Sequence, residues 1–133
     1  MGIELRVRVL SAHLNPTGAA AVELKAKPVM IADSKPHGGK KVAHTLHALG
    51  VRTVFAVPGL HTTTILLSIE QRGLSVVSCR TEAAAVYAAA ACARVSNAGI
   101  VGVAILDSSD GLANALAAVK TAQHEQAAVL LLV

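Results

Sequence analysis

The strongest constraint on this chain is an alternation that begins at Gly38. Four short apolar runs, "VRTVFAVPG" (51–59), "LSVVSC" (74–79), "GIVGVAIL" (99–106) and "AAVLLLV" (127–133), alternate with longer stretches of helical character. The first such stretch, "GGKKVAHTLHALG", spaces Val42, Leu46 and Leu49 along one helical face and stops at Gly50. "HTTTILLSIEQRG" stops at Gly73, Glu82 to Val95 reads as an alanine-rich helix, and "DSSDGLANALAAVKTAQ" reads as a loop followed by a helix. Apolar runs this short and this continuous suit strands buried on both faces. Helix and strand in strict alternation predict an α/β fold: a parallel sheet with helical crossovers and helices on both faces.

Residues 1–36 do not share this pattern. Ile3, Leu5, Val7 and Val9 alternate with Glu4, Arg6 and Arg8, as in a half-buried strand, and a proline-punctuated stretch without sustained period follows. The chain therefore divides into an N-terminal extension, 1–36, expected to be loosely ordered, and one domain, 37–133. A length of 133 residues supports no more than one such domain.

Composition narrows the function. The chain has one Tyr, one Phe and no Trp, so it lacks the aromatic faces on which single-stranded nucleic acids stack. Its net charge of +4 comes from scattered residues and a small cluster from Lys35 to Lys41, without a dense basic stripe, so no nucleic-acid partner is expected. No apolar run approaches the roughly 20 residues that span a bilayer, so no membrane segment is expected. Cys79 and Cys92 have no CxxC partner, which suits a reducing, cytoplasmic setting. Cys79 reads as a buried strand residue, or as a reactive thiol if Arg80 lowers its pKa. The six histidines have no carboxylate or cysteine at ligand spacing, so no metal site is expected on this chain.

In parallel sheets, ligands bind beyond the carboxyl ends of the strands. Three segments meet that description: Pro58–His61, Arg80–Glu82 and Asp107–Gly111. Glu82 is the single acid where a strand hands over to eleven residues, Ala83 to Ala93, that are all apolar. It fits an ordinary helix-start carboxylate, favoured by the helix dipole. The sharper alternative is a partly buried acid poised to exchange a proton with a ligand, since burial raises a carboxyl pKa. The Ser108–Gly111 stretch could offer free backbone N–H groups to an anion, or Asp110 could simply cap the helix from Gly111 onward. Neither a Walker A sequence nor GxGxxG occurs.

Three segments in order, "GGKKVAHTLHALGVRTVFAVPG", "RTEAAAVYAAAACARVS" and "DGLANALAAVKTAQ", carry a family likeness. From Gly38 to Val133 the chain resembles the N-terminal pyrimidine-binding domain of thiamin-diphosphate enzymes of the acetolactate synthase group. The features "HGGKKVA", "ARVS" and "AVKTAQ" point to the acetolactate synthase-like branch found in animals. The resemblance implies that Glu82 is the catalytic acid, which hydrogen-bonds N1′ of the aminopyrimidine and promotes loss of the thiazolium C2 proton. It implies cofactor-binding positions at Pro58, Gly59, Ser109, Gly111 and Asn114. It implies a carboligase or lyase acting on 2-keto acids or 2-hydroxyacyl-CoA.

Other implications concern what lies outside the chain. In the family, magnesium and diphosphate are held by a second domain with a Gly-Asp-Gly…Asn motif that is absent here, and FAD is bound by some relatives. The site forms between two subunits, so a homodimer or a full-length relative is the expected partner. The sequence ends within its fourth strand, so the domain is expected to be incomplete and inactive alone. The anchored animal relative suggests the endoplasmic reticulum membrane as an alternative location. Thr81 stands where the family usually has His, Ser109-Asp110-Gly111 replaces Gly-Pro-Gly, and Ala128 replaces a proline. These departures motivate an alternative reading: a non-catalytic partner that docks on a full-length relative. A small flavodoxin-like binding domain is a third reading.

Overall fold

The structure is a computed structural model, described here for residues 37–96 and 99–133. The reading of residues 1–36 therefore lies outside the described residues. Eight elements alternate: α1 (Gly38–Ala48), β1 (Thr53–Ala56), α2 (Thr63–Gln71), β2 (Ser75–Ser78), α3 (Glu82–Val95), β3 (Gly102–Ile105), α4 (Ser108–His124) and β4 (Val129–Leu132). The four strands form one sheet in the order β2-β1-β3-β4, and every pair is parallel.

The strand pleat divides the core in two. Val54 and Ala56 of β1, with Val103 and Ile105 of β3, face a cluster containing Ala43 and Leu46 of α1 and Leu66 and Ile69 of α2. Phe55 and Ala104 face the other way, toward Ala85, Val86 and Ala89 of α3 and Ala115 and Ala118 of α4. Helices thus cover both faces, as the alternation predicts. Leu46, Ile69, Ile105 and Leu106 are fully buried, each stabilising the fold by about 1.5–3 kcal/mol relative to exposure.

The alanine-rich face of α3 lets that helix approach the sheet closely. At Gly102, on β3, an added Cβ would overlap the backbone carbonyl of Ala89. Gly50 and Gly73 follow α1 and α2 with φ of +82° and +83°, the left-handed conformation that ends helices. Leu49 departs from the expected spacing. It lies past the end of α1 and is 61% exposed, while Gly39, Ala43 and Leu46 form the buried side. Periodicity alone carried the face one turn too far.

β4 is an edge strand whose four residues are half-buried. Beside it, a cavity of about 390 Å³ is lined by Val86, Val119, Ala122, Gln123, Ala127, Val129 and Leu131. Among the described residues, no helix is long and apolar enough to cross a membrane.

Candidate active site

Because the strands are parallel, β1, β2 and β3 release their following segments at one edge. The chain steps from β1 to β2 in one direction and returns to place β3 on the far side of β1. That reversal falls between the β1–α2 and β3–α4 connections, where sheets of this kind usually have their ligand crevice. The positions marked by the sequence fall on its rim or beside it.

The β1–α2 connection is held by its own threonines. The Gly59 N–H donates to Thr62 Oγ1 at 3.0 Å, and the Thr63 hydroxyl donates to the Gly59 carbonyl at 2.6 Å. Thr62 is 5% exposed; its hydroxyl is satisfied by the Gly59 backbone and its N–H by Asp107. Pro58 is exposed and Gly59 half-buried.

The β3–α4 connection is shorter than expected. The expectation of a loop through Gly111 is corrected: α4 begins at Ser108, so Ser109, Asp110 and Gly111 form its first turn. Asp110 is also not the cap. The N-cap is Asp107, and its side chain makes no cap bond to its own helix. Instead Asp107 Oδ1 accepts from the backbone N–H groups of His61 and Thr62, at 3.0 and 3.1 Å, across the crevice. The second carboxylate oxygen lies against Gly59, where a Cβ would collide with it. Ser108 turns the chain with φ of +78°, a conformation that costs a non-glycine residue on the order of 1 kcal/mol.

Glu82 is the first residue of α3 and is half-buried. Thr81 caps this helix: its Oγ1 accepts from the Ala84 N–H at 3.2 Å. Gly111 is buried against Glu82, and a Cβ on Gly111 would stand 3.2 Å from Glu82 Cγ and 3.5 Å from Oε1. The structure therefore brings Glu82 and Gly111 together, and Gly59 with Asp107. Asn114 is exposed on the next turn of α4. Asp107 and Thr62 are the residues whose roles the sequence did not reveal. The usable signal was an acid immediately after a buried strand, facing a loop with a glycine.

Cys79 lies just beyond β2, half-buried. Burial pushes its thiol pKa up, only partly offset by a hydrogen bond with the Ala56 backbone. The reading of Cys79 as a buried strand residue is corrected to a half-buried one just past β2, and loss of hydration runs against the alternative of a thiol activated by Arg80. Among the described residues, no three His, Cys, Asp or Glu side chains gather into a metal-binding group. His44 of the paired His44 and His47 instead contacts the Arg72 guanidinium through Nδ1.

Comparison with known proteins gives the family. Residues 36–133 match the family model of the thiamine pyrophosphate enzyme, N-terminal TPP binding domain. The 2-hydroxyacyl-CoA lyase 2 of Homo sapiens is 47% identical over 96 residues, and that of Mus musculus 48% identical over 96 residues. Each match covers 72% of this chain and 15% of the relative. The acetolactate synthase large subunit IlvG of Mycobacterium tuberculosis is 31% identical over 96 residues, covering 72% of this chain and 17% of that protein. The chain thus spans only about 15% of the length of the first two relatives.

Proposed function

This chain belongs to the thiamine pyrophosphate enzyme family through its N-terminal TPP binding domain, and from that premise we propose that it forms the pyrimidine side of a thiamin diphosphate site, with Glu82 as its acid. The observation that carries the assignment is Gly111 packed beside Glu82 at the carboxyl edge of the sheet. Gly111 puts no side chain beside Glu82, and only alanines follow the acid at 83–85. A planar aminopyrimidine needs that combination: room for a ring, and one acid at its edge.

When bound, the cofactor supplies a carbon nucleophile for 2-keto acids or 2-hydroxyacyl-CoA thioesters. The chain's own part is to bind and orient the ring. Glu82 would share a proton with a ring nitrogen, N1′, in general acid–base fashion. Gly59 and Gly111 form the close walls, and Pro58, Ser109 and Asn114 complete the rim. Magnesium and the diphosphate would be held by a second domain, and FAD would belong to another part of a longer protein. The whole reaction, a carboligase or lyase step, is a property of that larger assembly.

The partner we propose is a second pyrimidine-binding domain, in a homodimer or a full-length relative. Both α3 and α4 expose apolar side chains: Tyr87 is 45% and Leu116 55% exposed. These exposed side chains also support the second reading, a docking partner without catalysis. Calorimetric titration separates the two readings. Saturable binding of thiamin diphosphate, with none for ATP, supports the site. Association with a full-length relative and no cofactor binding supports the docking partner.

A further inference from the structure

We propose that Asp107 is a positioning residue that holds the β1–α2 turn closed beside the ligand edge. Three observations converge on it. Its Oδ1 accepts two backbone N–H groups from the opposite connection, those of His61 and Thr62. Its second oxygen occupies space that Gly59 leaves open by having no Cβ. The residue after it, Ser108, is held at φ of +78°, which turns the chain between the Asp107 latch and the first turn of α4. A carboxylate directed away from its own helix, beside a left-handed serine, is a costly local arrangement. Bonds from N–H groups to a charged acceptor offset that cost more strongly than neutral ones could.

The consequence for binding follows from chain connectivity. Asp107 is four residues before Gly111, which packs on Glu82. Its partners His61 and Thr62 follow Gly59 by two and three residues. The latch therefore ties the two proposed walls, Gly59 and Gly111, into one unit across the crevice. The role assigned to Asp107 is to act through the walls, without contact to the ring or the reacting atoms. The inference rests on the thiamin diphosphate reading for the identity of the ligand, but the latch itself can be measured without ligand.

The test uses amide hydrogen exchange on the whole chain, and titration of thiamin diphosphate on an enzyme that carries this domain together with the diphosphate-holding one. Asp107→Ala should speed exchange at the His61 and Thr62 amides and weaken thiamin diphosphate binding, each roughly tenfold or more, while the Val103 and Ala104 amides stay protected. Asp107→Asn keeps an acceptor oxygen for both N–H groups but loses the charge, and should restore part of the loss. Gly59→Ala should reproduce the effect by displacing the carboxylate, and the double variant should be no worse than Asp107→Ala alone. Should Asp107→Ala fail to fold, the Asn and Gly59→Ala variants carry the same comparison. Unchanged exchange at His61 and Thr62 would overturn the latch. Faster exchange with unchanged binding would overturn its positioning role. An enzyme that carries this domain together with the diphosphate-holding one and binds no thiamin diphosphate would overturn the ligand reading and the positioning role with it, while the exchange data still judge the latch.

Discussion

Gly111 on α4 lies against Glu82 at the start of α3, so closely that a Cβ on the glycine would stand 3.2 Å from Glu82 Cγ. A small Cβ there forces a shift of a few tenths of an ångström. A branched side chain would fill the space beside the acid. Gly111→Ala is expected to weaken thiamin diphosphate binding slightly, and Gly111→Val by about tenfold or more, through lost room for the ring. Calorimetry on the two variants checks this. Equal affinities in wild type and Gly111→Val would remove Gly111 from the site.

Glu82→Gln keeps size and polarity but cannot donate or accept the same proton. In an enzyme carrying this domain entire, the substitution is expected to slow exchange of the thiazolium C2 proton by about 100-fold or more, the usual weight of a positioned acid or base. Proton exchange followed by magnetic resonance gives the rate directly. A rate unchanged from wild type would return Glu82 to the ordinary role of a helix-start carboxylate.

Gly102 and Ala89 set the distance between β3 and α3. An added Cβ at Gly102 would overlap the Ala89 carbonyl, a backbone atom that cannot rotate away. Gly102→Ala should therefore destabilise the domain by about 2 kcal/mol or more, despite the better strand propensity of alanine. Urea unfolding measures it, and a stability within error of wild type would contradict the packing described.

Much of this architecture was legible because its signals are local. Gly50 and Gly73 announced two helix ends, and strand runs such as Val54 to Ala56 and Val103 to Ile105 were visible as apolar sequence. The site was legible in part. Glu82 stood out as an acid before an apolar helix, but its contact with Gly111 joins residues far apart in sequence. Asp107 was obscured for a related reason. "DSSDG" has turn composition, which favours a loop reading. The tertiary bonds to His61 and Thr62, 46 and 45 residues away, take the Asp107 side chain from its own helix, and α4 nonetheless starts at Ser108. Leu49 failed in the opposite direction: its spacing was helical, but the helix ended first.

Thr81 supplies the cap that the start of α3 needs. Its hydroxyl accepts the Ala84 N–H at 3.2 Å, leaving the Glu82 side chain free of that task. Thr81→Ala should cost about 1 kcal/mol of stability, and Thr81→Ser only a fraction of that. Thermal unfolding of the two variants distinguishes them. An equal loss in both would mean that the threonine methyl, rather than the hydroxyl, matters.

Glu70 gives the domain a pH dependence of definite sign. It is half-buried on α2, and burial alone pushes its carboxyl pKa above the ordinary value. The folded state therefore holds its proton to higher pH than the unfolded chain does. Stability from this group is fully present below the unfolded pKa and is lost as pH rises through the folded one. At neutral pH the charged carboxylate is a net cost, partly screened by the water that still reaches it. Glu70→Gln removes the charge and keeps the shape. It should raise the melting temperature at pH 7 and leave it nearly unchanged at pH 4, where the wild-type carboxyl in the folded state is already largely neutral. Thermal unfolding at the two pH values decides the matter. A gain of the same size at both would trace the effect to packing or helix propensity instead of the desolvated charge.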